Sequence, residues 1–146
     1  MGRAAGPSDD QGDVMRVPDI LRAVRDELRS AGLGPLYMRR LGALDGREGI
    51  VIRPGAARVL SRYIDGSADM EMPVRVICKR REAVRAMADA EDAADALSLA
   101  VVTAGGETAV ITCEAERARE LELSDAEYSV WEATATARYE IKPTNQ

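Results

Sequence analysis

Residues 130–142 read VWEATATARYEIK, and apolar and polar side chains alternate strictly along this stretch. Because successive side chains of a β-strand point to opposite faces, the alternation predicts one long strand with a buried face and a wet face. The face predicted to be buried comprises Trp131, Ala133, Ala135, Ala137, Tyr139 and Ile141. The face predicted to be polar comprises Glu132, Thr134, Thr136, Arg138, Glu140 and Lys142. One wet face is typical of antiparallel sheets, and the alanines leave room for a helix to lie close.

Two segments upstream of this strand have helical patterns. In residues 17–34 apolar side chains recur at helical spacing, with charged residues on the other face and Gly32 as a stop signal. Its apolar positions are Ile20, Leu21, Val24 and Leu28, and the predicted length is about fifteen residues. Residues 81–102, REAVRAMADAEDAADALSLAVV, are rich in alanine, which favours a second helix that packs closely.

The remaining periodic segments predict strands. They are residues 36–41 (LYMRRL), 50–54 (IVIRP), 57–64 (ARVLSRYI), 72–80 (MPVRVICKR) and 108–116 (TAVITCEAE). We expect the third and fourth strands to form an antiparallel hairpin across residues 65–69. Gly105 and Gly106 indicate a turn, and the charged residues 117–125 are interpreted as a connection.

These segments follow one another in the order α-β-β-β-β-α-β-β. That order predicts an α+β domain in which two helices cover one face of a largely antiparallel sheet. We assign residues 14–142 to this single domain. Residues 1–13 are small, polar and acidic and are expected to form a disordered N-terminal arm, while residues 143–146 form a short C-terminal tail.

The composition argues against several classes of protein. The chain of 146 residues has a formal net charge of −5 and contains no histidine. An acidic chain is poorly suited to wrapping nucleic acid, and the absence of histidine removes the commonest general base and most zinc ligand sets. No apolar run is long enough for a transmembrane helix, and the N-terminus lacks the apolar region of a secretory signal. We therefore expect no enzyme, no cofactor and no membrane partner.

Residues 63–80, YIDGSADMEMPVRVICKR, place three acids and two methionines near the predicted hairpin turn. Asp65, Asp69 and Glu71 are candidate cation ligands. Their spacing does not supply the ligand count of a calcium-binding loop, so we expect a solvated turn and no metal site. Met70 either starts the fourth strand with its side chain inward or is presented outward to a partner.

Two other sets of residues are candidates for chemistry or charge recognition. Lys79, Arg80 and Arg81 form a basic cluster that either contacts phosphate or pairs with acids on a neighbouring element. The candidate acids are Glu114, Glu116, Glu120 and Glu122. Cys78 and Cys113 lie inside apolar strand patterns, so we expect buried thiols and assign them no chemistry.

Residues 62–97, RYIDGSADMEMPVRVICKRREAVRAMADAEDAADAL, resemble the central segment of tail terminator proteins of long-tailed bacteriophages, which are also called tail completion or minor capsid proteins. The shared pattern is a strand that ends in an aromatic, a glycine-containing turn, a strand with basic residues at its end, and a helix. Residues 128–142, YSVWEATATARYEIK, resemble the final strand of that family. The resemblance covers residues 13–142.

The resemblance implies a structural protein of the virion that assembles in the host cytoplasm. Members of the family form a ring, usually of six copies, that caps the head-proximal end of the tail tube and docks on the connector of the filled head. The implied partners are further copies of the chain, the tail tube protein and a head-completion or connector protein. DNA passes through the central channel without specific binding.

In such a ring the hairpin can project towards a neighbouring subunit or the tube, where flexible methionines suit a surface that adapts to its partner. The hypothetical contact comprises Asp65, Asp69, Met70, Glu71 and Met72. Two alternatives remain open: another head–tail joining protein, such as a neck or stopper protein, and a small dimeric α+β ligand-binding module of a bacterium.

Overall fold

The structure, a computed structural model, describes residues 16–38, 46–98, 100–104, 107–122 and 124–142. The helices are α1 (Val17–Ser30) and α2 (Ala83–Leu97). The strands are β1 (Leu36–Tyr37), β2 (Gly49–Pro54), β3 (Arg58–Arg62), β4 (Ala68–Arg80), β5 (Ala100–Ala104), β6 (Glu107–Glu120) and β7 (Ser129–Ile141). The predicted disordered arm of residues 1–13, the tail of residues 143–146 and the Gly105-Gly106 turn lie outside the described residues.

The described strands form one seven-stranded sheet in the order β1-β2-β4-β7-β6-β5, with β3 paired to β4 beside β2. Within this sheet β1 and β2 are the one parallel pair, and the other pairings are antiparallel. Both helices contribute to a single hydrophobic core with the sheet face that carries Val74, Val76 and Ala135. The predicted α+β class, with two helices on one face of a largely antiparallel sheet, is confirmed.

The centre of the sheet is the pairing of β4 with β7, which runs from Ala68 opposite Ile141 to Arg80 opposite Ser129. The alternation predicted for β7 is confirmed, because Ala133, Ala135 and Ala137 are buried in the core. Helix α2 packs across β4, β6 and β7, and its own buried face is largely alanine: Ala86, Ala90, Ala93, Ala94 and Leu97. Small side chains on both surfaces allow the helix and the sheet to approach closely.

Helix α1 begins with Pro18 in its first turn, where proline's fixed backbone angle suits a helix and its missing N–H is not needed. Its buried residues are the four predicted ones, Ile20, Leu21, Val24 and Leu28. Burying a large aliphatic side chain stabilises a fold by about 1.5–3 kcal/mol, so these four side chains hold α1 against β2, β5 and α2. Neither described helix is long and apolar enough to cross a membrane.

Pro73 lies in the middle of β4, which is unusual because proline lacks the N–H that a central strand donates. Strands β2 and β3 pair one after the other with the same edge of β4, and Pro73 lies at the gap between them. Its carbonyl oxygen accepts a hydrogen bond from the Gly55 N–H at 2.8 Å. A Cβ atom at Gly55 would come within 2.9 Å of the Pro73 Cβ, so this approach requires glycine. The proline therefore marks where β4 changes partner.

Several predicted boundaries are wrong. The second helix ends at Leu97, and residues 100–104, predicted as its continuation, form β5 on the edge of the sheet. The observed order therefore has one strand more than predicted. Strand β6 continues to Glu120, through residues interpreted as a connection, and β4 begins at Ala68, before the predicted start at residue 72. Long pairing with β7 extends β4 and β6 beyond their apolar patterns, whereas β5 pairs with β6.

Candidate assembly surface

A hairpin arm with exposed apolar side chains extends from the sheet. We call residues 58–67, which comprise β3 and the turn that follows, the β3 arm. Within the described residues β3 pairs with β4 alone, and all of its residues are exposed. The exposed large apolar side chains of the arm are Val59, Leu60, Tyr63 and Ile64. The β3 arm thus presents to solvent the kind of side chains that the rest of the chain buries.

Hydrogen bonds hold the turn of the β3 arm in one conformation. Asp65 accepts hydrogen bonds from the Ser67 hydroxyl at 2.6 Å and the Ser67 N–H at 2.9 Å, and both lower the pKa of the Asp65 carboxyl. Gly66 has a φ of 93°, which favours glycine. The Tyr63 hydroxyl donates to Asp69 at 2.5 Å, and this bond raises the pKa of Tyr63. The arm is therefore preorganised for contact, which lowers the entropy cost of binding.

A row of charges ties the β3 arm to the sheet. Arg58, Glu71 and Arg138 lie side by side on β3, β4 and β7. The Arg58 Nε donates to one Glu71 oxygen at 2.7 Å and the Arg138 Nε to the other at 3.3 Å. Arg58 first and Arg138 second lower the pKa of Glu71. Since both arginine side chains are more than half exposed, this row presents a net positive charge beside the arm.

A groove of about 310 Å³ lies at the base of the β3 arm. Its lining residues are Leu60, Asp69, Met70, Arg138 and Tyr139. The lining combines apolar side chains with one acid and one base. Such a groove suits an apolar side chain that is flanked by a charged residue.

The five residues predicted as a partner contact occupy different environments. Met72 is fully buried and Met70 half-buried, and both belong to β4. Met70 packs against the hydrophobic core, as in the inward alternative, and Met72, predicted as the first residue of the fourth strand, belongs to that core. Asp65 is exposed in the turn, whereas Asp69 and Glu71 are half-buried and bonded within the chain. Contact of these residues with a partner remains a prediction.

The sequence interpretation missed the apolar side chains that the β3 arm exposes, above all Tyr63 and Ile64. A signal was present: residues 57–64 carry apolar side chains on both faces, Val59 and Tyr63 on one and Leu60 and Ile64 on the other. A strand with apolar residues on both faces is normally covered on both. In β3 neither face is covered in the isolated chain. The apolar side chains on its two faces therefore form an exposed patch of the kind that binds a partner.

A second charge row crosses the sheet on the face opposite the helices. Glu132 of β7 is 2% exposed and pairs with Arg75 of β4 and with Arg119 of β6, the latter at 3.2 Å. Glu132 was expected on the wet face, and its burial is a correction. Two arginines from neighbouring strands enclose the carboxylate, so it leaves water while keeping charged partners.

The basic cluster is used for internal pairing. Arg80 is buried and donates to Asp89 of α2 at 2.6 Å and to the Gly34 carbonyl at 2.8 Å. Arg81 donates to Glu127 at 2.6 Å. Lys79 and Arg81 both lie over the ring of Tyr128. Pairing with neighbouring acids was the predicted arrangement, and Asp89, Glu48 and Glu127 supply acids to Arg80 and Arg81.

The described residues carry little chemistry of other kinds. No three of them from the set His, Cys, Asp and Glu are grouped to hold a metal ion. Burial raises the pKa of the Cys78 thiol to about 12, so this thiol is a poor nucleophile at neutral pH. The Cys113 sulfur lies 3.5 Å from the Ala94 carbonyl oxygen.

Among the comparisons with known proteins, the comparison with solved structures gives a match of the fold. No protein-family model and no curated protein matches the sequence. Among solved structures, a chain in the virion of a native gene transfer agent (GTA) particle matches with a TM-score of 0.56 and 18% sequence identity. The match covers 84% of this chain and 96% of that chain. At this identity the likeness shows a shared fold.

Proposed function

We propose that the chain is a structural protein of a phage-like virion and acts as its tail terminator. It forms a ring, of six copies by the resemblance, that caps the head-proximal end of the tail tube. The ring then joins the tube to the connector of the head, and DNA passes through its channel without specific binding. The protein works by stoichiometric binding and catalyses no reaction.

The observation that carries this proposal is the fold shared with a chain of the gene transfer agent virion. The likeness covers 96% of that chain, so it extends over a whole subunit rather than one motif. A fold hosts many functions, and the likeness is therefore support by analogy. The likeness supports a structural protein of a virion, and the tail terminator role rests on the resemblance of residues 62–97 and 128–142.

The surfaces of the chain support the same proposal. A protein that acts by assembly needs exposed apolar side chains on a preorganised element, and the β3 arm supplies them. A ligand-binding module would need space between helix and sheet. In the described residues, fully buried side chains such as Ala94, Leu97 and Val76 fill that layer. This packing disfavours the dimeric ligand-binding alternative.

The proposal is tested by native mass spectrometry and electron microscopy of the purified chain, alone and mixed with tail tubes made from the tube protein of the same genome. We expect rings with a central opening and a mass near six copies, bound at one end of each tube. A stable dimer that binds a small metabolite and leaves tubes uncapped would overturn the proposal.

A further inference from the structure

Of the eight exposed large apolar side chains of the described residues, Val101 and Val110 lie opposite each other on β5 and β6, and the other six form two groups near the two ends of β4. One group is the β3 arm, which lies beyond the start of β4. The other is the first two turns of α2, where Val84 is 71% and Met87 38% exposed. Helix α2 follows directly after the end of β4. Since β4 has 13 residues and a strand rises about 3.3 Å per residue, the two groups are about 40 Å apart.

The exposed side chains of α2 are apolar near the start of the helix and acidic further along it. Val84, Met87, Glu91 and Asp95 are all exposed and recur three or four residues apart, so they share one stripe. We call these four residues the α2 stripe. Glu91 lies in the middle of α2 and is exposed, so its carboxylate is accessible to a cation of another copy.

The β3 arm supplies cations of the required kind. Arg62 is exposed and has no ion-pair partner among the described residues. Arg58, at the other end of β3, shares the single carboxylate of Glu71 with Arg138. The acids Asp65 and Asp69 are hydrogen-bonded within the arm and its adjoining strand. The arm therefore presents apolar side chains together with positive charge, and the α2 stripe presents apolar side chains together with negative charge.

We infer that the β3 arm of one copy docks on the α2 stripe of the next copy. Ile64 of the arm contacts Val84 and Met87, and Arg62 faces Glu91. Because the two surfaces differ and lie at opposite ends of the subunit, the contact is head-to-tail, and repetition of such a contact closes a ring when the rotation permits. This inference rests on the proposed ring and names the surfaces that form it.

The test uses two variants that each block one surface. Ile64→Asp blocks the arm and Val84→Asp blocks the stripe, while Val101→Asp replaces a similarly exposed valine of β5 outside both surfaces. All three replace exposed residues, so at concentrations where the unchanged chain is monomeric the circular dichroism spectra and melting temperatures should match those of that chain. Self-association is measured by analytical ultracentrifugation over a concentration series and by electron microscopy on tail tubes.

We expect Ile64→Asp and Val84→Asp each to weaken self-association about tenfold or more, the effect of removing a central contact residue. Val101→Asp should assemble like the unchanged chain. A one-to-one mixture of the two blocked variants should form a dimer that grows no further. In that dimer the intact arm of the Val84→Asp chain binds the intact stripe of the Ile64→Asp chain, and both outer ends are blocked.

Charge reversal gives a second measurement. Arg62→Glu and Glu91→Arg should each weaken assembly, and the chain with both changes should recover it. Rings formed normally by both blocked variants would overturn the inference and leave the proposed function intact. A mixture of impaired variants that forms no dimer would also overturn it. Failure of the unchanged chain to form rings, alone or on tubes, would instead overturn the proposed function, whereas the mixed dimer would still report on the arm and the stripe.

Discussion

The two halves of β4 differ in the burial of the strand beside them, although both halves pair with β7. Residues 74–80 lie between β2 and β7 under the helices, and Val74, Val76 and Cys78 are fully buried. Residues 68–71 lie between β3 and β7, and every residue of β3 is exposed. The apolar content of a strand therefore does not decide its burial. The elements that lie above the strand decide it.

We therefore expect the residues that determine the stability of the chain to differ from those that determine its association. The half under the helices contributes the core, so changes there should affect the free energy of unfolding. The other half pairs with the β3 arm, whose apolar side chains the isolated chain leaves in water, so changes in the arm should affect association. Variants in the buried half of β4 and in the β3 arm test whether stability and association depend on different residues.

The largest loss of stability is expected from Arg80→Met at the buried end of β4. The change removes the partner of Asp89 and of the Gly34 carbonyl. An acid and a carbonyl left without a partner in a buried site cost about 3–5 kcal/mol. We expect the free energy of unfolding to fall by this amount in urea titrations followed by circular dichroism.

Arg81→Met is the matched control for Arg80→Met. Its side chain is more than half exposed and pairs with the exposed Glu127, so we expect a loss of about 0–1 kcal/mol. Both variants need to be compared at one protein concentration, because association also stabilises the folded state. Equal losses for the two arginines would contradict the assignment of Arg80 to the buried half.

The next largest effect is expected from Met72→Ser, which removes a fully buried side chain from the core. A change of this size in a core costs about 2–5 kcal/mol. Ile64→Ser removes a comparable apolar side chain from the exposed turn of the β3 arm, where surface changes cost about 0.5 kcal/mol or less. Thermal unfolding of the two variants measures the difference. Similar melting temperatures would show that the arm is as buried as the core.

Local periodicity was sufficient to predict the parts of the fold that one element decides. The alternation of β7 identified Ala133, Ala135 and Ala137 as the inner face, and helical spacing identified the buried side of α1. These patterns are set by the geometry of a single strand or helix. Strand β5 was missed because alanine-rich sequence continues from α2 into it, and a short apolar run fits either a helix or a strand.

The environments of the candidate site were less predictable because they depend on contacts between distant residues. Met72 is fully buried in the core that the sheet forms with both helices, although the adjacent Glu71 is a charged, half-buried residue. Glu132 meets Arg75, which lies 57 positions earlier in the chain. Arg80 reaches the Gly34 carbonyl across 46 positions. The periodicity of a single segment gives no information about contacts between residues so far apart in the sequence.

The smallest of the three effects is a dependence on pH. It distinguishes the stability of the β3 arm from that of the core without a mutation in the core. Arg58 and Arg138 lower the pKa of Glu71 below its ordinary value of 4.5. A lowered pKa means that the charged row stabilises the folded arm fully above pH 4.5 and loses this contribution as the pH falls through the folded-state pKa. Asp65, whose pKa is lowered from 3.8 by Ser67, acts in the same direction.

We therefore expect amide hydrogen exchange of β3 to accelerate, relative to its intrinsic rate, as the pH falls below about 4, while β2 stays protected. Glu71→Gln removes the titrating group, so its β3 amides should exchange faster already at pH 6 and show a smaller change on acidification. Both strands pair with the same edge of β4. Simultaneous loss of protection in β2 and β3 would mean that the two halves of β4 open as one unit, and the division between core and arm would then fail.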